Sequence, residues 1–437
     1  MAMKVGMVSL GCSKNRVDSE VLLGILRDNG YEIVMDPSEA DVVFVNTCGF
    51  IEPAKEESID AIFEMAEYKK TGKLKKLFVT GCLSQRYPDD LLNEIPEVDG
   101  FMGVSDYART IEMLKKADEG EKPVFVEDGE RFLDCGRVLT TPPYTAYVKI
   151  SDGCDNKCTY CAIPLIRGSY RSRPYDDIMK ECVSLVESGV KELVFIAQDT
   201  SRYGNDFEEK TLLLPRLLKE ASEIEGVEWV RVLYCYPDTV TDELLETIAN
   251  NPKICPYLDL PLQHIDDDML RRMNRRGSSE HIKNILKKVR SYGIFVRTTM
   301  IVGFPGETAQ QFETLLDFVK EFRFDRLGAF TYSPEEGTPS AEFEDQIDED
   351  VKQLRLDQLM LLQQDISYES NKSRIGKTYR VLIEDVEDGA YIGRSPLEAP
   401  EIDGIIKVET DEELEIGEFV DVRITDCDAY DLMGVIA

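Results

Sequence analysis

Two histidines and one tryptophan are all that 437 residues contain. A Cys/His zinc site or a histidine-centred catalytic triad therefore has little material to work with. Positive charge is also scarce: 51 Lys and Arg face 84 Asp and Glu, a net charge of −33. Such a surface repels bare phosphate backbone, so nucleic acid is not expected as the main partner and a basic protein is the natural fit. A local basic groove stays open. No apolar run approaches the ~18 residues that a membrane helix requires. The opening MAMKVGMVSLGCSKN lacks a signal-peptide layout. The expectation is a cytoplasmic protein without membrane contact. Cysteine is abundant instead, at eleven. An odd count without a secretory context points to metal binding or chemistry rather than a disulfide framework.

The length suggests about three domains at roughly 150 residues each. Over residues 1–138, KVGMVSL (4–10), DVVFVNT (41–47) and KLFVTG (76–81) read as strands separated by helical stretches. That alternation predicts an α/β unit with a doubly wound parallel sheet. Ser13 is placed to cap the first helix, with Val17, Val21, Leu22, Ile25 and Leu26 on one face and Gly30 at its end. Residues 139–143 read as a linker. Residues 144–370 hold six β–α units, too few for an eight-unit barrel of about 250 residues, and predict a (β/α)6 barrel, closed or partly open. Its last segment, 349–373, reads as one long helix with Val351, Leu354, Leu359, Leu362 and Ile366 on one side. Residues 371–437 turn to short strands with Gly and Asp turns, a small all-β barrel. The final 62 residues carry 17 acidic and 5 basic side chains.

The strongest chemical signal is Cys154-Asp-Asn-Lys-Cys158-Thr-Tyr-Cys161, just past the first barrel strand. Active sites of β/α barrels are built from loops in that position. Three thiolates on a four-iron cubane leave one iron open for a substrate or cofactor, whereas four would close it. Zinc is the alternative, but a structural zinc site wants four closed ligands, and no fourth Cys or His lies nearby in sequence. A second constellation is Cys12, Cys48 and Cys82, spaced 36 and 34 residues apart, each just past a strand. In an open parallel sheet those ends lie side by side. Three inert buried thiols remain the bland reading. Cys135, Cys182, Cys235, Cys255 and Cys427 share no spacing and read as structural.

The stretch CDNKCTYCAIPLIRGSYRSRP (154–174), with Tyr160 before the last Cys, resembles the radical S-adenosylmethionine (SAM) enzymes, and within them the methylthiotransferases. The resemblance covers essentially the whole chain and implies a cysteine domain, a radical-SAM barrel and a TRAM-type barrel. It also implies two [4Fe–4S] clusters, one on Cys154, Cys158 and Cys161 and one on Cys12, Cys48 and Cys82. SAM would serve as methyl donor and radical source, and an electron donor such as flavodoxin or ferredoxin would reduce the clusters. No catalytic residue beyond the cluster ligands is implied. SAM contacts are expected from Tyr160, from Gln198 and Asp199 after the second strand, and from Ile301, Gly303 and Phe304 after the fifth. Gln198 and Asp199 also fit a plain turn and helix cap. Arg167, Arg171 and Arg173 are either anion contacts or salt-bridged surface groups, and His264 is a structural histidine or a catalyst.

Two branches share this layout. The MiaB type modifies a tRNA adenosine; the RimO type modifies the β-carbon of an aspartate in ribosomal protein twelve of the small subunit. The acidic last segment has the wrong sign for tRNA and the right sign for a basic ribosomal protein. SLGCSKNRVDSE and PLQHIDDDMLRRMNRRG (261–277) also look RimO-like. A non-catalytic iron–sulfur scaffold is the alternative from another class. None of the six cluster cysteines lies in residues 376–437, so that segment reads as separable from the cluster chemistry.

Overall fold

Short runs of β-branched and aromatic residues lay down the first sheet. The computed structural model describes every residue except 1, 128, 130, 131 and 134. Strands β1 (Lys4–Ser9), β2 (Glu32–Ile33), β3 (Val42–Thr47), β4 (Lys76–Gly81), β5 (Gly100–Met102) and β6 (Val124–Phe125) run parallel in the order β2-β1-β3-β4-β5-β6. Every residue of β3 is buried. One apolar cluster, around Val43, Val45 and Leu77, covers one face, and another, around Phe44 and Phe78, covers the other. The sequence signals β1, β3 and β4; the other three strands have only two or three residues, too few to show a period.

The first helix, Ser13–Asp28, has Cys12 at its N-cap position without a side-chain capping bond, and Ser13 Oγ is buried without a partner rather than capping it. The single apolar face expected for it is too narrow a description. Asn15, Asp18, Ser19 and Glu20 are buried as well, because the helix lies between the sheet and the central unit.

The central unit contains β7 (Thr145–Lys149), an antiparallel ribbon of β8 (Ser151–Asp152) and β9 (Arg171–Ser172), then β10 (Glu192–Ile196), β11 (Trp229–Val232), β12 (Tyr257–Asp259), β13 (Phe295–Val302) and β14 (Arg326–Thr331). Two parallel sheets, β11-β10-β7 and β12-β13-β14, meet where Val230 bridges Ile254. The result is a six-unit barrel, open between β7 and β14. The long helix Glu349–Lys372 packs along the β14 edge. Its buried face differs from the expected one: Val351 and Leu354 are exposed, while Lys352, Arg355, Leu359, Gln363 and Ile366 are buried. Chemistry at an open edge explains this, since edge strands leave backbone groups to be satisfied. Lys352 Nζ donates to Tyr332 O (3.1 Å) and Gln363 Nε2 to Phe324 O (3.0 Å), at the two ends of β14.

The last unit is a closed barrel of β15 (Thr378–Glu387), β16 (Ala390–Arg394), β17 (Ile406–Glu409), β18 (Phe419–Cys427) and β19 (Leu432–Ile436), ordered β15-β16-β17-β19-β18. It is not separable from its neighbour. The segment between β16 and β17 enters the central barrel and contacts five of its strands. Tyr147 donates to Glu401 (3.1 Å), Arg231 to Pro396 O (2.9 Å) and Tyr257 to Asp403 (2.7 Å). Arg297 pairs with Asp403 (3.6 Å) and Arg326 with Glu398 (3.4 Å). Below them Glu192 is buried between Arg231 and Arg394. Among the described residues no helix is long and apolar enough to cross a membrane.

Candidate functional site

Cys12, Cys48 and Cys82 follow β1, β3 and β4, which are neighbours in the sheet. The chain reverses its winding direction between β1 and β3, and open parallel sheets bind ligands at such a switch point. Glycines bring the turns together. A Cβ on Gly11 (φ +85°) would lie 2.9 Å from Cys48 Cβ and 3.2 Å from Cys48 Sγ, and one on Gly49 would lie 2.9 Å from the Cys82 carbonyl carbon. The first turn therefore touches the second, and the second touches the third. Ser58 Oγ fixes the middle one, accepting from Cys48 N and donating to Cys48 O, both at 3.0 Å. Burial raises the Cys48 thiol to about 12, with Cys82 adding to it. Burial also raises Cys82, against the pull of Arg167. At Cys12 desolvation acts upward too, but Lys14 and Arg167 outweigh it and hold the thiol below its ordinary value.

Cys154, Cys158 and Cys161 lie between β8 and β9, beyond the end of β7. Hydrogen bonds pin this loop along its length. Cys154 N donates to Gly168 O (3.1 Å), Thr159 N to Met273 O (3.0 Å), Asn274 Nδ2 to Lys157 O (2.8 Å) and Ser340 Oγ to Thr159 O (3.0 Å). Lys157 takes a left-handed turn, φ +53°, between the first two cysteines. Burial raises Cys154 to about 11 and Cys161 further. Arg275 Nη1 stands 4.0 Å from Cys158 Sγ, its guanidinium 4.1 Å from the Tyr236 ring.

One short helix joins the two sets. Helix Ile163–Arg167 starts two residues past Cys161 and packs on helix Cys82–Arg86, so that Cys82, Val104, Ala162 and Ile166 share a cluster. At ~1.5 Å per residue it spans about 7.5 Å. Arg167 at its end is neither a surface arginine nor an open anion contact. It donates to Asn15 Oδ1 (2.6 Å), pairs with Asp18 (2.8 Å) and Asp152 (3.1 Å), and places Nη2 3.7 Å from Cys82 Sγ. Lys149 pairs with the same two carboxylates. Arg171 is exposed and Arg173 pairs with Glu181.

Soft thiol sets beside buried cations suit iron–sulfur clusters. Among the described residues no three Cys, His, Asp or Glu side chains close on a single ion.

The residues expected to contact SAM divide into two groups. Tyr160, Ile301 and Phe304 come together in one cluster with Met269, Met273, Tyr332 and Phe343. Phe304 is fully buried, its ring centroid 5.2 Å from that of Tyr332. Gly303 (φ +71°) has no room for a side chain: a Cβ would lie 2.3 Å from Lys352 Cγ. Glu307 closes this loop by accepting from Gly303 N (2.5 Å) and Phe304 N (3.2 Å), and burial raises it to about 7. Gln198 and Asp199 stand apart, past β10. Gln198 Oε1 is buried without a partner, an acceptor ready for a polar ligand. Asp199 is satisfied internally, by Asn156 Nδ2 and Ser201 Oγ at 2.9 Å each, and so ties the cysteine loop to β10. His264 is fully buried, and Nδ1 accepts from Asp266 N at 3.0 Å. Burial lowers its pKa to about 4, so the ring is neutral with its proton on Nε2.

Sequence reasoning missed Asn15, Asn156, Gln263 and Arg275. Gln263 sits past β12 at φ +73° with Oε1 buried and unpartnered. A left-handed glutamine carries no local signal, because that conformation is read from glycine or asparagine. For Asn15 and Asn156 the available signal was position, within three residues of a cysteine.

Residues 148–319 match the Radical SAM superfamily, residues 4–103 the Uncharacterized protein family UPF0004, and residues 375–437 the TRAM domain. The chain is 51% identical to the ribosomal protein uS12 methylthiotransferase RimO of Clostridium botulinum (strain Loch Maree / Type A3), covering 99% of this chain and 98% of that protein. The protein of the same name from Clostridioides difficile (strain 630) is likewise 51% identical, over 99% and 98%. Among solved structures the fold is similar to the radical SAM methyltransferase TsrM from Kitasatospora setae (17% identity, TM-score 0.56, 78% of this chain and 77% of that one). It is also similar to the cobalamin-dependent radical enzyme OxsB (15% identity, TM-score 0.51, 83% and 56%).

Proposed function

The chain belongs to the RimO-type methylthiotransferase family, a radical SAM family, and from that premise we propose that it adds a methylthio group to the β-carbon of an aspartate in ribosomal protein uS12. Cys154, Cys158 and Cys161 would hold one [4Fe–4S] cluster and Cys12, Cys48 and Cys82 a second. Bound at the first cluster, SAM supplies the methyl group and the radical reactivity that an unactivated C–H bond requires.

The chain's own residues do the placing. Gln198 Oε1 would offer an acceptor to the polar end of SAM, and Tyr160, Ile301 and Phe304 would wall its adenine side. Asp199, through Asn156, holds the cysteine loop in register with β10. An external donor such as flavodoxin or ferredoxin would supply electrons. The acidic last barrel would attract the basic substrate: Glu409, Asp411, Glu412, Glu413 and Glu415 are all exposed. That attraction acts mainly on association and weakens with salt.

The observation that carries the reading is the five-residue helix Ile163–Arg167, which starts beside Cys161 and ends against Cys82. A sulfur held at one cysteine set and a radical made at the other must meet, and here the two sets are adjacent. Anaerobic reaction of the reconstituted chain with SAM, reductant and either uS12 or tRNA tests it. Mass spectrometry should find the methylthio group on a uS12 aspartate. Modification of tRNA alone would make the adenosine-modifying reading correct; SAM cleavage with neither acceptor would rule out both substrates.

A further inference from the structure

We infer that Arg167 is a positioning residue that sets the reduction potential of the N-terminal cysteine site. The inference rests on the reading above, in which Cys12, Cys48 and Cys82 hold a cluster. Arg167 belongs to the radical-SAM barrel in sequence, yet its guanidinium is spent on the other unit. Nη2 reaches Asn15 Oδ1, Asp18 and the Cys82 sulfur, and Nη1 reaches Asp152. Its side chain is 1% exposed. An N–H donor to a ligating sulfur withdraws electron density and favours the reduced cluster; hydrogen bonds to sulfur and net local charge are the protein's levers on cluster potential.

Charge sharpens the argument. Lys149 and Arg167 face Asp18 and Asp152, all four side chains nearly inaccessible to solvent. Among the described residues these two cations and two anions balance one another, and Lys14, buried beside Cys12, is unchanged in every variant below. Replacing Arg167 by an uncharged residue leaves one uncompensated carboxylate beside the cluster, which opposes an added electron. Replacing Asp18 by Asn leaves one uncompensated cation, which favours it. Asn15 holds the geometry: Nδ2 donates to Leu10 O (3.2 Å) and Thr47 O (2.9 Å), flanking the cysteine turns, while Oδ1 receives Arg167. The other cysteine set has its own guanidinium in Arg275, so the two sites are poised by separate charges.

The test uses the full chain with Cys154, Cys158 and Cys161 changed to Ala and reconstituted anaerobically with iron and sulfide. Iron content reads the underlying assignment: a chain that binds none removes the cluster, and the inference with it. In the loaded chain, the one-electron midpoint is measured by paramagnetic resonance during titration with dithionite. Arg167→Gln should shift the reduction equilibrium against the reduced form at least about tenfold, ~59 mV for one electron. Arg167→Lys should recover part of that, returning the charge but not the forked donor. Asp18→Asn should shift the midpoint upward. An unchanged or raised midpoint in Arg167→Gln would overturn the inference. Should that variant fail to fold or to keep iron, Asp18→Asn decides: a rise supports it, and no change or a fall defeats it. In the converse chain, with Cys12, Cys48 and Cys82 changed, Arg167→Gln should move the remaining midpoint less. Equal movement at both sites would mean general damage and would also defeat it.

Discussion

The two cysteine sets reach a similar end by opposite routes. Cys12, Cys48 and Cys82 span 71 residues and are gathered by a sheet, each at the end of a neighbouring strand. Cys154, Cys158 and Cys161 span eight residues and are gathered by a loop that has almost no regular structure of its own. The first set inherits its geometry from the backbone of a buried parallel sheet. The second depends on side-chain and carbonyl clamps from residues 199, 272–274 and 340, far away in sequence. Fold stability therefore protects one site, and tertiary hydrogen bonds protect the other.

Removing the ligands should separate the two most completely. Cys154, Cys158 and Cys161 changed together to Ala should abolish SAM cleavage and leave roughly half the iron of a two-cubane protein. The same change at Cys12, Cys48 and Cys82 should keep SAM cleavage and end methylthio transfer. Iron analysis and 5′-deoxyadenosine release check both. Equal loss of both activities in each variant would show that neither site stands without the other.

A backbone change should break the sheet-built site next. Gly11→Ala puts a side chain at φ +85° and 2.9 Å from Cys48 Cβ, so the turn must move. The expected cost is about 1–3 kcal/mol, with iron lost from the N-terminal site and SAM cleavage retained. Denaturant titration together with iron content reads both halves of that outcome.

The loop-built site should yield to a lost clamp instead. Asp199→Ala strands the Asn156 amide at a buried position, while the Ser201 hydroxyl keeps Thr239 and Tyr236, at a cost of about 1–3 kcal/mol. SAM cleavage should slow while N-terminal iron stays. If Asp199→Asn behaves as wild type, the hydrogen bond rather than the charge is what holds the loop.

Acid should distinguish the two units more gently. Both histidines, His264 and His281, lie in the central unit. His264 is buried neutral with its pKa lowered to about 4, burial being the main cause, Arg355 assisting and Asp266 opposing. The unfolded chain takes up that proton near pH 6.5 and the folded chain does not. Stability from this group is therefore present above pH 6.5 and declines as pH falls toward 4, by at most about 3 kcal/mol. Glu307, raised to about 7 in the same unit, acts in the opposite sense, so the contribution of His264 is read as a difference: in denaturant titrations at pH 7 and pH 5, His264→Gln should lose less stability on acidification than the unchanged chain.

This contrast also explains what could be read from sequence. The six cysteines and the three units were legible because each carries a local signature: tight spacing, repeated strand ends, a change of period. The clamps were not. Asp199 reads as an open polar group after a strand, and only the fold reveals that both oxygens are taken. Arg167 reads as one of three arginines near a cysteine loop, and nothing in its neighbours announces Asn15 or Asp18. The long helix was found, but its face was assigned by hydrophobicity, whereas an open barrel edge calls for donors such as Lys352 and Gln363.

The segment between β16 and β17 bears on how such a protein could be re-engineered. A substrate-recruiting module would ordinarily be a cassette, exchanged to redirect the enzyme. Here the cassette carries the floor of its neighbour's interior, since Arg394 and Pro396 O meet Glu192 and Arg231 there. Cutting it away would leave buried charges without partners, a loss of about 3–5 kcal/mol for each such pair. On the proposed reading, specificity would be redrawn on the outer acidic surface, residue by residue, while a transplanted barrel would have to bring its own Arg394 and its own inserted strap.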